Sequence, residues 1–220
     1  MADRVYEQLR ELIIRARWAP GKEVPEEMLA ETLQVSRTPL RDAIQRLDSD
    51  GLVARRPNGR LYVTEVSAGE VHQLFSVRMA LEDLALCEAL EHLTNDHICL
   101  LRLHIQEMER LSRTVSHNVA EVGVDFHKVL YEAGENKINR QLLESLEVRI
   151  DRYRYMSTEG ARERQIDSIR EHKMIYDAIV ARQGEKARAA LRLHLENAKE
   201  SVLSTLRSMS MREEGKGGDV

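Results

Sequence analysis

The sequence predicts a mainly α-helical protein in two parts: a small module of short helices closed by a β-hairpin, then an all-helical antiparallel bundle. Three observations predict it. Aromatic residues are 4% of the 220 while Leu, Ala, Glu and Arg dominate, which favours helices over a sandwich of strands. Hydrophobic residues make up 42% and charged residues 32%, so the chain can bury cores and is not a disordered tail. Asn58-Gly59 between apolar segments is a strong hairpin signal, and from Ser67 onward the apolar pattern is helical.

The front elements follow in order. Residues 2–16 carry Val5, Leu9, Leu12, Ile13 and Ala16 at helical spacing, and Pro20-Gly21 ends the segment. A second short helix fits PEEMLAETL, with Pro25 in its first turn. Gln34-Val35 makes a tight connection, and Ser36 is the expected N-cap of a third helix, RTPLRDAIQRLDSDG. In that helix Leu40, Ala43, Ile44 and Leu47 face inward, and Gly51 stops the run. LVARR and RLYVTEV then flank Pro57-Asn58-Gly59, where a tight Asn-Gly turn needs positive φ at both residues. This order of elements is that of a winged helix-turn-helix over residues 1–66.

Charge separates the two parts. Residues 1–66 hold 11 Lys+Arg against 11 Asp+Glu, and the remainder holds 22 against 26, which is the whole net charge of -4. Within residues 36–60, six arginines face only Asp42, Asp48 and Asp50. The core does not need Arg37, Thr38 or Arg41, and the first turns of such a helix are the part that meets base edges in the major groove. Arginine grips guanine in a bidentate pair worth about 1–3 kcal/mol of discrimination. The Ser36 and Thr38 hydroxyls suit phosphate oxygens, and Arg56, Asn58 and Arg60 on the wing are placed for the backbone or the minor groove. Arginines on a helix are commonly just a solvated face, so it is the hairpin at the right distance that gives these a nucleic-acid reading.

The stretch PGKEVPEEMLAETLQVSRTPLRDAIQRLDSDGLVARRPNGRLYV resembles the DNA-binding domain of GntR-family bacterial transcription regulators almost end to end. VSRTPLRDA and RLDSDGLV are its most specific parts. The resemblance implies operator contacts by Arg37, Thr38 and Arg41 with help from the wing. The Gly-aromatic often found in that wing appears here as Gly59-Arg60-Leu61-Tyr62.

The second part spans residues 67–210. Ser67 and Glu70 have capping-box spacing and open a helix to about His92. Thr94 caps the next, to about Arg113. A third covers roughly 117–133 and a fourth runs from Asn136 to about Thr158. Gly160 separates the fifth, about 161–182, and Gly184 the sixth, about 185–209. Short connections imply antiparallel neighbours. Residues 211–220 read as a disordered tail. VRMALEDLAL, DFHKVLYEAGEN, REHKMIYDAI and LRLHLENA resemble the FCD effector domain of the FadR branch of the GntR family, with six helices suiting its VanR-like group.

His127, His172 and His194 sit on or beside the apolar stripes of three separate helices and could converge on one metal ion. A single histidine on such a stripe is more often a hydrogen-bonded core residue. All three match the metal ligands that the resemblance implies. That family pattern also has an Asp four residues before the first histidine, where this chain has Gly123, and Asp125 lies roughly 200° away around the helix. Water or an effector carboxylate would complete the shell, or the pocket binds effector directly. Neutral imidazoles suit a divalent metal such as Zn or Ni.

Arg78 shares a face with Leu74 and Leu81, and Arg149 lies within an apolar stripe. A buried arginine needs a counter-charge, either a ligand carboxylate or an internal acid such as Glu82. These two are the candidate effector-binding residues. Cys87 and Cys99 read as reduced core thiols. No apolar run approaches the ~18–20 residues that span a bilayer, and MADRVYEQLR does not fit a secretory signal.

The expected function is a cytoplasmic, ligand-responsive transcription regulator, a repressor rather than an enzyme. It would act as a homodimer on double-stranded, near-palindromic operator DNA and answer to a small anionic effector, a carboxylate or sugar acid. The rivals are a three-histidine metalloenzyme and a helical binding module without DNA recognition. The first lacks a placed general base, since Glu171 points to a different face from His172.

Overall fold

The computed structural model describes residues 1–113, 118–158 and 162–216. His117 and the break at Gly160 lie outside the described residues. The elements run α1 (Ala2–Ile14), α2 (Glu26–Leu33), α3 (Arg37–Ser49), β1 (Val53–Arg55), β2 (Leu61–Val63), α4 (Ala68–His92), α5 (Asn95–Leu111), α6 (Asn118–Ala133), α7 (Lys137–Thr158), α8 (Arg162–Val180) and α9 (Gly184–Lys216). They form two compact units, one of Met1–Ser67 with Glu147–Met156, the other of Ala68–Leu146 with Ser157–Val220.

In the first unit α1, α2 and α3 close over Leu9, Ile13, Leu40, Leu47, Leu52 and Val63, all buried. α1 ends at Ile14, two residues before the expected limit, and Ala16 takes a left-handed φ of 51°. Gln34 ends α2 with φ 52°, the left-handed residue that lets the chain reverse sharply into α3. β1 and β2 pair antiparallel in the register Val53↔Val63, Ala54↔Tyr62, Arg55↔Leu61. The hairpin turn departs from the expected Asn-Gly form, because Gly59 has positive φ and Asn58 does not. Gly59 N–H donates to the Arg56 carbonyl at 2.9 Å, making a Pro57-Asn58 turn, and Arg56 N–H donates to the Arg60 carbonyl at 3.0 Å. Pro57, with its fixed φ, suits the second position of such a turn. Residues 21–24 run along the free edge of β2, with Val24 N–H donating to the Leu61 carbonyl at 2.8 Å.

The second unit is all helix. Thr94 caps α5 in a reciprocal box: its hydroxyl accepts from His97 N–H, and His97 Nδ1 accepts from Thr94 N–H at 3.2 Å. Asn136 Oδ1 accepts from Asn139 N–H at 3.0 Å at the start of α7. The core gathers Leu86, Leu101, Met108, Phe126, Leu130 and Ile175. α9 continues to Lys216, so helix extends into the segment expected to be a disordered tail. Cys87 and Cys99 are half-buried and unpaired with each other, less enclosed than core thiols. No helix among the described residues is long and apolar enough to cross a membrane.

Candidate nucleic-acid interface and metal centre

Two clusters of polar side chains stand out, one in each unit. The first is built on α3. Leu40, Ala43, Ile44 and Leu47 fill its inner face, which forces Arg37, Thr38 and Arg41 outward into solvent. Ser36 occupies the N-cap position with extended φ and ψ, yet its hydroxyl makes no capping bond. That leaves the hydroxyl and the first backbone N–H groups of α3 open to an anion. Among the described residues neither Arg37 nor Arg41 has a hydrogen-bonding or ionic partner.

The wing differs. Arg55 Nη1 lies 2.7 Å from Glu26, Arg60 Nη1 3.0 Å from Glu23, and Arg56 Nη2 3.5 Å from Glu65. Arg56 also stacks over the Tyr62 ring at 4.0 Å. Asn58 turns its Oδ1 to Arg60 N–H at 3.0 Å, holding the turn. A groove of about 630 Å³ separates α3 from the wing, and Arg37, Thr38, Arg41, Arg60, Glu23 and Glu26 all line it. Sequence reading brought the arginines together and missed the acids, which lie up to 37 residues away in the chain.

The second cluster is buried. His127 on α6, His172 on α8 and His194 on α9 are 2%, 2% and 5% exposed, and one nitrogen from each lies within 4.8 Å of the others. Their Nδ1 atoms all face acceptors: Glu171 Oε2 at 2.7 Å for His194, the Ser168 carbonyl at 2.7 Å for His172, and Glu82 Oε2 at 2.6 Å for His127. The last is an ionic contact without hydrogen-bond alignment. The hydrogen-bonded acceptors assign the proton of His172 and of His194 to Nδ1, and the Nε2 atoms of all three rings turn inward. His127 Nε2 and His194 Nε2 are 3.3 Å apart, and His172 Nε2 is buried with no hydrogen-bond partner among the described residues. Three converging acceptors with no donor among them fit a cation, and an imidazole whose Nδ1–H is held by a carboxylate or carbonyl is a metal ligand's usual arrangement.

The electrostatics keep His172 and His194 neutral. Burial pushes His172 well below its ordinary value, and its two histidine neighbours push it further. Burial likewise lowers His194, to about 4, against the opposing pull of Glu171. Burial alone would raise Glu171, but its bonds from His194 and Arg164 bring it down to about 2. Glu82 also resists burial and stays ionised, because His127 and Arg78 outweigh the loss of water.

Gly123 faces this centre. A Cβ there would sit 3.5 Å from His172 Nε2 and 3.8 Å from Met108 Sδ, ordinary contact distances. Arg78 is 3% exposed, and its Nε donates to Glu82 Oε1 at 2.6 Å, the internal ion pair that was the alternative to a ligand carboxylate. Arg149 is not brought to the histidines. It belongs to the first unit, where its guanidinium packs at Gly51, because the C-terminal part of α7 joins that unit. Glu171 is the functional residue that sequence reading set aside. It faces away from His172, as expected, and lands on His194, gripped there by Arg164 at 2.8 and 2.9 Å and by Asn197 at 2.8 Å.

A model of the gntR family of bacterial regulatory proteins matches residues 1–63, and an FCD domain model matches residues 73–197. The HTH-type transcriptional repressor RspR of Escherichia coli K12 is 28% identical over 199 residues, which cover 90% of this chain and 87% of RspR. The HTH-type transcriptional regulator YdhC of Bacillus subtilis 168 is 26% identical over 213 residues, covering 96% and 92%. Among solved structures, E. coli McbR/YncC shares the fold with a TM-score of 0.77 at 22% identity, covering 93% of this chain and 98% of its own. The metal-free FCD domain of TM0439 matches 65% of this chain and 98% of its own with a TM-score of 0.56 at 22% identity.

Proposed function

The chain belongs to the GntR family of bacterial transcription regulators with an FCD domain, and from that premise we propose that it is a repressor whose helical unit binds a small carboxylate or sugar acid and thereby changes its hold on operator DNA. The observation that carries the DNA-binding reading is the pair Arg37 and Arg41, exposed and, among the described residues, without partners at the start of α3 beside the wing. Bidentate contacts from these two to guanine edges read sequence, while Ser36, Thr38, Arg56, Asn58 and Arg60 lie where phosphate contacts fix position. A homodimer doubles this reading on a near-palindromic site in the cytoplasm. The exposed apolar side chains Val77 and Leu84 on α4 and Ile138 and Leu142 on α7 support a self-association face.

In the second unit His127, His172 and His194 would hold a divalent metal, Zn(II) or Ni(II) suiting neutral imidazoles. When bound, the metal supplies a positive anchor for an anionic oxygen. Glu171, Glu82 and the Ser168 carbonyl orient the rings, and Gly123 leaves the space beside His172 Nε2 that an effector carboxylate would use. Arg78, already paired to Glu82, adds positive potential. The effector acts only by binding one of two states more tightly, a coupling of typically about 1–3 kcal/mol. A catalytic metal reading is not favoured: Glu82 and Glu171 are both committed to imidazoles and arginines and neither is free to act as general base.

The test is selection of bound sequences from a random duplex pool by the purified chain, followed by footprinting with and without carboxylates and sugar acids. An enriched, near-palindromic sequence that Arg37→Ala/Arg41→Ala no longer protects is expected. A pool that never enriches would refute the reading.

A further inference from the structure

We propose that Glu23, Glu26 and Glu65 are specificity-determining residues for DNA binding, holding the wing arginines away from phosphate until a correctly docked duplex takes the arginines from them. The inference rests on the DNA-binding reading above. Its basis is a division among the arginines of one small surface. Arg37 and Arg41 on α3 have no partners among the described residues, whereas Arg55, Arg56 and Arg60 on the wing each have a carboxylate, at 2.7, 3.5 and 3.0 Å.

The backbone sets these carboxylates in place. Glu23 rides on the edge of β2, bridged to Tyr62, and the Tyr62 hydroxyl donates to its Oε2 at 3.2 Å. Glu26 is the first residue of α2. Both line the groove that Arg37 and Arg41 also line. The bonds from Glu26 and Glu23 raise the pKa of Arg55 and Arg60 respectively, the direction a held guanidinium shows.

Random-sequence binding depends on how many phosphates a protein neutralises, and each neutralised phosphate steepens the salt dependence by about 0.9 in log–log slope. An arginine already neutralised by a carboxylate adds nothing to that count unless it changes partner. Exposed ion pairs are weak, so a phosphate fixed in position by base contacts from α3 displaces the carboxylate, while a transient phosphate on random duplex does not. The three acids therefore subtract from random binding more than from operator binding.

Fluorescence anisotropy of the full chain tests this, with a random-sequence duplex and a selection-enriched duplex titrated over a salt series. Glu23→Gln/Glu26→Gln/Glu65→Gln should bind random duplex about tenfold more tightly near 0.1 M salt, with a slope steeper by about one for each arginine released. Affinity for the enriched duplex should change much less, so the ratio of the two falls. Glu27→Gln is the control, since Glu27 lines the same groove but holds no arginine among the described residues. Wild-type slope in the triple variant, or an equal gain from Glu27→Gln, overturns the proposal. If the triple variant fails a circular dichroism check, Glu23→Gln alone decides by the same slope criterion. Wild type binding neither duplex at low salt removes the DNA-binding reading itself, whereas wild type binding both with unchanged variant slopes removes only this inference.

Discussion

The charged groups on α3 and those inside the helical unit are arranged on opposite principles. Arg37 and Arg41 stand in water with no partner among the described residues, so their binding capacity is unspent. Around the three imidazoles the charges are matched, Glu82 by Arg78 and Glu171 by Arg164, and an acceptor lies beside the Nδ1 of each ring. Among these groups the Nε2 face is left over. A surface site is thus marked by groups that lack partners, and a buried site by one unsatisfied direction in an otherwise complete network, because an unpaired buried charge is far more costly than an exposed one.

Perturbing each side should give effects of different size. The largest is His172→Ala with His194→Ala, which should abolish metal uptake measured by elemental analysis; equal metal in variant and wild type would discard the centre. Next, Arg37→Ala and Arg41→Ala should each weaken operator binding by about 1–3 kcal/mol with little change on random duplex. Parallel losses on both duplexes would make these arginines phosphate contacts instead. Glu171→Gln should lower metal affinity about 10–100-fold while Glu171→Asp recovers part of it. A Glu171→Gln protein that binds metal as wild type does would leave Glu171 a purely structural acid. Gly123→Asp should tighten metal binding, since a Cβ at Gly123 meets His172 Nε2 at an ordinary contact distance, and unchanged affinity would show that the position is not a ligand position.

The smallest effect is on stability against pH. The folded state holds His194 at about 4 against an ordinary 6.5, and His172 is lowered too. As pH falls below about 6.5 the unfolded chain takes up protons that the folded chain refuses, so stability is complete above that value and declines toward pH 4. Glu171, about 2 against 4.5, extends the decline below pH 4.5 in the same direction. A melting temperature that stayed flat or rose from pH 7 to 4.5 would contradict this.

Much of this arrangement was legible in the residues. Apolar spacing in α3 separated Leu40 and Ile44 from Arg37 and Arg41, and the stripes of α6, α8 and α9 pointed three histidines inward, because both signals have a local period. The wing turn was harder. Asn58-Gly59 located it, but Pro57 gave it a different form. Arg149 obeyed the stripe of its helix, yet a stripe does not say which core it faces, and the end of α7 joins the first unit. Glu171 was missed for a related reason. One residue along a helix is about 100° of rotation, so the neighbour of a ligand faces a different helix, and only the packing of α8 on α9 shows that it meets His194. The Glu23–Arg60 pair depends on an edge pairing with no sequence signature.

The depth of the three imidazoles bears on kinetics as well as affinity. The three histidines are 2–5% exposed, and the Phe126 ring lies 5.0 Å from that of His172, so entry of an ion would be coupled to local opening of the helices. Exchange would then run at the rate of local opening, whatever the equilibrium constant. An ion captured while the chain folds would survive dilution and brief chelation, so a preparation would carry the metal history of the cell that made it.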